Sequence, residues 1–246
     1  PVAEYGNSNI GRLKTLYRHG LGIRYGRKMQ TIAGIHYNLS FPGTFWEAWQ
    51  NALGDSRPRQ DFINEKYFTL VRNFQRHSFL LLYLLGASPA VCACFLVGRQ
   101  HGLQSLGNNT LYQPHATSLR MSRLGYQNTV QRDLHVSYNR LDHYIRDLSH
   151  AIHTPYPAFE QLGVKNADGD YVQMNTNILQ IENEYYSLIR PKRTTLRGEK
   201  PTQALRSRGV EYVELRCVDL NPFTPTGIDS PTAHFLEVFA LHSLLC

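Results

Sequence analysis

Apolar and polar residues alternate most sharply in two stretches. From Val210 to Pro225 (VEYVELRCVDLNPFTP), a strand would send Glu211, Val213, Leu215, Cys217 and Asp219 to one face. Tyr212, Glu214, Arg216 and Val218 would go to the other, setting a carboxylate beside a guanidinium at i, i+2. From Gln30 to Phe41 (QTIAGIHYNLSF), Ala33, Ile35, Tyr37, Leu39 and Phe41 make a nearly continuous apolar face. Gln30, Ile32, Gly34, His36, Asn38 and Ser40 make the opposite one. The pair predicts a sheet with a packed back and a wet front. A solvated salt bridge and a hydrogen-bonded histidine are the plain readings of the wet face, because a strand buries charge only when it pairs it or lines a cavity. With His36 and Glu214 both on the wet side, a site there is the alternative.

Helical spacing marks Thr44 to Leu53, with Phe45, Trp46 and Trp49 grouped, and Asp61 to His77, with a stripe of Ile63, Tyr67, Leu70, Val71 and Phe74. Asn139 to Ile152 is the clearest amphipathic helix, with Leu141, Tyr144, Ile145, Leu148 and Ile152 on one side. Leu13, Leu16 and Tyr17 share a face of a short helix, and Phe235 to Cys246 is apolar and helical. Ser78 to Gly98 carries no charge and is long enough to span a bilayer, but Gly86, Ser88 and Pro89 interrupt it. That interruption predicts a buried helix end, a turn at GASP and a second buried segment, with a membrane span as the rival. Residues 99–114 are expected to be loop. Tyr171 to Ile189 is expected to be a further strand, with Gln180, Glu182, Glu184 and Tyr186 on one face. Carboxylates so spaced need water, metal ions or the cations that follow in Arg190-Pro191-Lys192-Arg193.

Composition changes this picture in few places. Of the 246 residues, 42% are hydrophobic and 18% charged, an ordinary globular balance. The net charge of +7 is concentrated between Arg190 and Arg208, where seven basic residues face the single acid Glu199. Such a run suits a solvated loop, nucleic acid or a phosphate clamp. Cys92, Cys94, Cys217 and Cys246 show no disulfide-framework or C-x-x-C spacing, which favours a reducing, cytoplasmic compartment. No P-loop or dinucleotide fingerprint occurs.

Several longer blocks occur in a telling order: GNSNIGRLKTLYRHGLGIRYGRKMQTIAGIHYNLSFP, GASPAVC, HATSLRMSRLGY, NTNILQIENEYYSLIRPKR and GVEYVELRCVDLNPFTPTGID. Together, from about Glu4 to Leu241, they resemble glutamate–cysteine ligase of the gamma-proteobacterial type. The resemblance implies an α+β fold, similar to glutamine synthetase, with a curved antiparallel sheet and flanking helices. It also implies ATP-dependent joining of the γ-carboxylate of L-glutamate to the amine of L-cysteine through a γ-glutamyl phosphate, the first step of glutathione biosynthesis.

In that resemblance His36 and Glu214 match metal positions. Tyr17, Leu21, Gln30, Ile32, Asn38, Tyr126 and Tyr186 match substrate positions, and so do Arg120 and Arg216, which as catalytic residues would fork onto carboxylate or phosphate oxygens. Lys192 and Arg193 are assigned to the nucleotide. Mg2+ is the implied ion, with Mn2+ admitted by the histidine. The implied partners are the two amino acids and ATP, with no nucleic acid, no membrane and a monomeric state. The family's proteins are about twice as long. The chain is therefore expected to be the central part of one catalytic domain, truncated at both ends, lacking part of the metal site and inactive alone. The rival readings are a related carboxylate–amine ligase with another acceptor and a basic RNA-binding module.

Overall fold

The computed structural model describes residues 2–125 and 129–246. Among them the elements run α1 (Asn9–Tyr25), β1 (Ile35–Leu39), α2 (Gly43–Ala52), α3 (Arg59–Leu85), β2 (Ala90–Cys92), β3 (Gln104–Ser105), β4 (Thr110–Tyr112), α4 (Thr129–Arg132), α5 (Leu141–Ala151), α6 (Pro157–Leu162), β5 (Ile189–Lys192), α7 (Pro201–Arg208), β6 (Tyr212–Val218) and α8 (Ser230–Leu245). Helices with small antiparallel sheets make this an α+β fold, as expected. The chain divides into two compact units. One comprises Pro1–Ala33, Met121–His135 and Leu148–Tyr186; the other comprises Gly34–Arg120, Val136–Asp147 and Ser187–Cys246.

The second unit is built on an antiparallel sheet of order β1–β6–β5. Its central strand carries Val213, Leu215 and Cys217, all buried, on the face predicted to be apolar. Helix α3 packs on β5 and β6 and along α8, where Phe74 and Phe239 meet edge to face at 5.3 Å. Phe62, Tyr67, Phe68, Leu70, Val71 and Phe74 are fully buried, so one stripe of α3 seals the sheet's back. Each such side chain contributes roughly 1.5–3 kcal/mol of burial. The Tyr67 hydroxyl ties helix to sheet, accepting from the Phe41 amide (3.3 Å) and donating to the Glu211 carbonyl (3.1 Å). A second, small sheet has the order β2–β4–β3.

The first unit is organised by α1, whose cap Ser8 accepts from the Gly11 amide at 3.1 Å. A Cβ on Gly20 would meet the Gln180 carboxamide within 2.8 Å, so only glycine lets residues 180 and 20 approach this closely. From the last turn of α1, Arg24 donates to Gln173 Oε1 (2.9 Å) and to the carbonyls of Asn175 (2.6 Å) and Asn177 (3.0 Å). It also pairs with Glu184 at 3.3 Å and stacks over Phe159 at 4.1 Å.

That fork explains a correction. Tyr171–Ile189 is not a continuous strand: it is irregular, with isolated antiparallel bridges at Tyr171 and Asn177, one turn of 3-10 helix at Glu182–Glu184, and ladder pairing only from Ile189. Arg24 takes the carbonyls a ladder would need, and Asn175 Oδ1 accepts from the Asn177 amide at 3.0 Å, a local bond that competes with pairing. Glu182 and Glu184 are buried rather than solvated, and Glu184 pairs with Arg24 of α1, a cation outside the basic run that follows it.

Three other expectations change. The first strand begins at Ile35, not Gln30, because Arg27–Thr31 forms a 3-10 turn in which Gln30 donates back to the Arg18 carbonyl at 2.9 Å. Residues 99–114 contain the hairpin β3–β4, turned through Gly107 and Asn109, both at positive φ. The helix end at Ser78–Leu85 is not buried throughout, since Phe79 and Tyr83 are mostly exposed. No helix among the described residues is long and apolar enough to cross a membrane.

Candidate functional site

Three strands place a row of polar side chains on the face of the sheet opposite its apolar back. In register, Asn38 on β1 and Arg190 on β5 lie opposite Glu214 on β6. Residues two positions along each strand share that face, which adds His36, Lys192 and Arg216. The Glu214 carboxylate is held from three sides: Lys192 Nζ at 3.2 Å, Arg216 Nη1 at 3.5 Å and His36 Nδ1 at 3.5 Å. The strand alternation of β1 holds as read, with His36 and Asn38 exposed between half-buried neighbours.

Charge on this face is unbalanced. Arg190, Lys192 and Arg216 surround the one carboxylate, and Arg190 is only 3% exposed. Burial alone would raise the Glu214 carboxyl, but Lys192, Arg216 and His36 outweigh it and hold the group below the usual carboxylate range. The same burial lowers Lys192, reinforced by Arg190 and partly offset by Glu214. His36 is lowered by burial first and by Arg216 second. An anionic carboxylate amid excess cations can accept a further anion on the cations and a metal ion on the carboxylate.

Arg120 lies behind this row. Its guanidinium pairs through Nε with the buried Asp219 and donates from Nη1 to the Arg216 carbonyl at 3.3 Å. The other Asp219 oxygen accepts from the Ala87 amide (2.9 Å) and the Ser88 hydroxyl (2.7 Å). Gly34 makes the room, since a Cβ there would lie 2.5 Å from Arg120 Nη1 and 2.9 Å from the Val218 carbonyl. Arg193 is not brought to the row, because the strand turns it to the opposite face. There it donates to the Gly209 carbonyl at 2.9 Å and faces Glu211 at 3.8 Å.

The remaining expected residues belong to the first unit. Leu21 is buried on α1, and the Tyr17 carbonyl accepts from Gln180 Nε2 at 3.4 Å. Gln30 and its neighbour Ile32 occupy the 3-10 turn and its cap. Tyr186 donates from its amide nitrogen to Gln131 Oε1 at 2.8 Å and from its hydroxyl to Met121 Sδ at 3.0 Å. Tyr126 lies outside the described residues.

The family model for glutamate-cysteine ligase matches residues 1–246. The chain belongs to the glutamate–cysteine ligase family. It is 61% identical over 249 residues to the glutamate–cysteine ligase of Alcanivorax borkumensis, covering 100% of this chain and 47% of that protein. It is 57% identical over 241 residues to that of Pseudomonas aeruginosa, covering 98% and 46%. The crystal structure of glutamate–cysteine ligase from Francisella tularensis in complex with AMP superposes with a TM-score of 0.90 at 42% identity, covering 98% of this chain and 47% of that one. A bifunctional glutathione synthetase from Pasteurella multocida superposes at 0.67 with 28% identity, covering 92% and 25%. The chain thus spans about half the length of the curated relatives it matches.

Within this glutamate–cysteine ligase segment, sequence reading missed Arg190 and Asp219. Both left a signal: Arg190 shares strand parity with Lys192, and Asp219 continues the apolar face of β6, where a carboxylate needs a buried cation. Arg24, which neutralises Glu184, left none beyond its charge. Part of the basic run is taken up on folding. Arg190 is buried, Lys192 meets Glu214, Arg193 faces Glu211, and Arg208 pairs with Glu199 at 2.7 Å. Arg197, Lys200 and Arg206 of the same run stay exposed.

His36 and Glu214 offer two donors to a metal, and among the described residues no group of three or more His, Cys, Asp or Glu is set to hold one. Mg2+ retains several waters and takes one or two carboxylates, so Glu214 fits as one side of such a site.

Proposed function

We propose that this chain forms part of the catalytic domain of a ligase that joins the γ-carboxylate of L-glutamate to the amine of L-cysteine, with ATP driving the reaction through a γ-glutamyl phosphate. The observation that carries the reading is the Glu214 row: one carboxylate among Lys192, Arg190 and Arg216, in a chain matched end to end by the family. The likeness to a structure that holds AMP supports nucleotide use.

Phosphoryl transfer asks mainly for positioning and charge neutralisation. Lys192 and Arg216, each partly buried beside Glu214, would receive phosphate or carboxylate oxygens. Glu214, held anionic, and His36 would hold Mg2+, which when bound supplies further neutralisation of the phosphates. Arg120, held by Asp219, positions the backbone of Arg216 through its carbonyl. Asn38, Tyr17, Leu21, Gln30, Ile32, Tyr126 and Tyr186 are assigned to the amino-acid substrates on the family resemblance. Arg193 is not retained for the nucleotide, since its donors serve Gly209 and Glu211.

The test grafts residues 1–246 into the Alcanivorax borkumensis relative in place of its 61%-identical segment and measures ADP release with Mg2+ and glutamate, with and without cysteine. Cysteine-dependent release that falls at least about a hundredfold in Glu214→Gln, some 2.7 kcal/mol of lost transition-state stabilisation, supports the reading. Release indifferent to cysteine would move the acceptor to another amine. Full activity of the Glu214→Gln graft would remove the row from the mechanism. The 246-residue chain alone is expected to release little or no ADP.

A further inference from the structure

Outside the sheet site, one pair of side chains stands ready for chemistry that the ligase reading does not use. Cys92 ends β2 and Cys94 follows one residue later in a 3-10 turn, Ala93–Leu96. The two sulfurs lie 2.6 Å apart, both residues are exposed, and no disulfide joins them. The backbone creates this approach. Cys92 takes the capping position of the turn and its sulfur accepts from the Cys94 amide at 3.3 Å, so the side chain folds forward over residue 94. In a continuing strand, residues 92 and 94 would share a face but stand about 6–7 Å apart along it. The corner is anchored, with Cys92 paired to Thr110 on β4 and the Ala93 amide donating to the Asn109 carbonyl at 2.7 Å.

We propose that Cys92 and Cys94 form a redox-active dithiol, a modification site that exchanges with small organic disulfides. The Cys92 thiolate, stabilised by the Cys94 amide, attacks one sulfur of a disulfide RSSR. A Cys92–SR bond forms as the S–S bond breaks, and RS− departs. The Cys94 thiolate then attacks the Cys92 sulfur, the Cys92–Cys94 bond forms and the second RS− departs. The chain loses two thiol protons and two electrons, and RSSR is reduced to two RSH. The capping turn already brings the two sulfurs into contact, so the ~2.05 Å bond of a disulfide can form within the turn. Resolution is intramolecular, so the mixed disulfide should not accumulate. The proposal is independent of the ligase reading, because it uses no residue of the Glu214 row.

The experiment uses the whole 246-residue chain carrying Cys246→Ser, which removes the other exposed thiol; Cys217 is buried. The reduced chain is treated with cystine under native conditions, quenched in acid and read by intact mass and peptide mapping. The expected result is the loss of two hydrogens, located to a bond between residues 92 and 94, with no half-cystine adduct. Adding Cys94→Ser or Cys92→Ser should instead trap one half-cystine adduct, several-fold faster in the Cys94→Ser chain, which keeps the attacking sulfur. Stable adducts at both Cys92 and Cys94, or no reaction at either, would overturn the proposal.

Discussion

Replacing Asp219 with Asn tests how the floor of the sheet site is held. Asp219 is 4% exposed and its two oxygens take three donors: Arg120 Nε, the Ala87 amide and the Ser88 hydroxyl. An amide keeps one oxygen able to accept and turns the other position into a donor, so it cannot satisfy all three. Arg120, itself 7% exposed, would keep its charge without the carboxylate. Removing one member of a buried ion pair costs about 3–5 kcal/mol. With a urea slope of about 2 kcal/mol per molar, the unfolding midpoint should fall by roughly 1.5–2.5 M. Both tryptophans, Trp46 and Trp49, lie in the same unit as Asp219, so their fluorescence reports its unfolding directly.

Two controls sharpen the test. Combining Asp219→Asn with Arg120→Met removes the stranded charge, so the double variant should cost clearly less than the sum of the singles. The pH dependence has a fixed sign. Burial would raise the Asp219 carboxyl, but Arg120, the Ala87 amide and Ser88 outweigh it and hold it below the usual carboxylate range. A depressed acid contributes stability above its unfolded value, near 3.9, and that contribution is lost as pH falls through the folded value. The gap between the native chain and Asp219→Asn should therefore be flat above about pH 5 and close in stronger acid. A midpoint shift under about half a molar, about 1 kcal/mol at this slope, would refute the reasoning, as would additive single and double variants.

Gly34→Ala places a methyl 2.5 Å from Arg120 Nη1 and 2.9 Å from the Val218 carbonyl, and should cost about 1–3 kcal/mol by the same fluorescence assay. A neutral result would mean that the guanidinium has room to retreat. Arg24→Lys keeps a charge near Glu184 but loses the fork onto Gln173, Asn175 and Asn177, and should weaken the first unit by about 1–3 kcal/mol. Hydrogen exchange of amides 175–185 should accelerate accordingly, and unchanged protection would show that the segment does not depend on Arg24.

The legible parts of this chain were those governed by period. Strand alternation placed His36, Asn38, Glu214 and Arg216 on one polar face and Val213, Leu215 and Cys217 on the packed one, because a two-residue repeat fixes side without reference to anything distant. Helical spacing likewise found α2, α3 and α5. What failed was wherever a side chain from elsewhere seized the backbone. Gln180, Glu182 and Glu184 alternate like strand residues, yet Arg24, some 150 residues earlier, binds the carbonyls at 175 and 177, and the segment keeps isolated bridges in place of a ladder. Gln30 alternates in phase with His36, yet its amide reaches back to Arg18 and starts a turn instead.

The site follows the same division. Lys192 and Arg193 are adjacent and equally basic, and only strand parity sends one to Glu214 and the other to Glu211. That parity was available once β5 was known to begin at Ile189, which the misread stretch before it concealed. Arg120 was picked from resemblance, and its burial gives a physical reason for its identity at this position. A lysine there could not hold Asp219 through a side-on nitrogen while donating from its far end to the Arg216 carbonyl. The residue that shapes the row from behind is thus selected by the geometry of its fork, which neither charge nor spacing in the sequence displays.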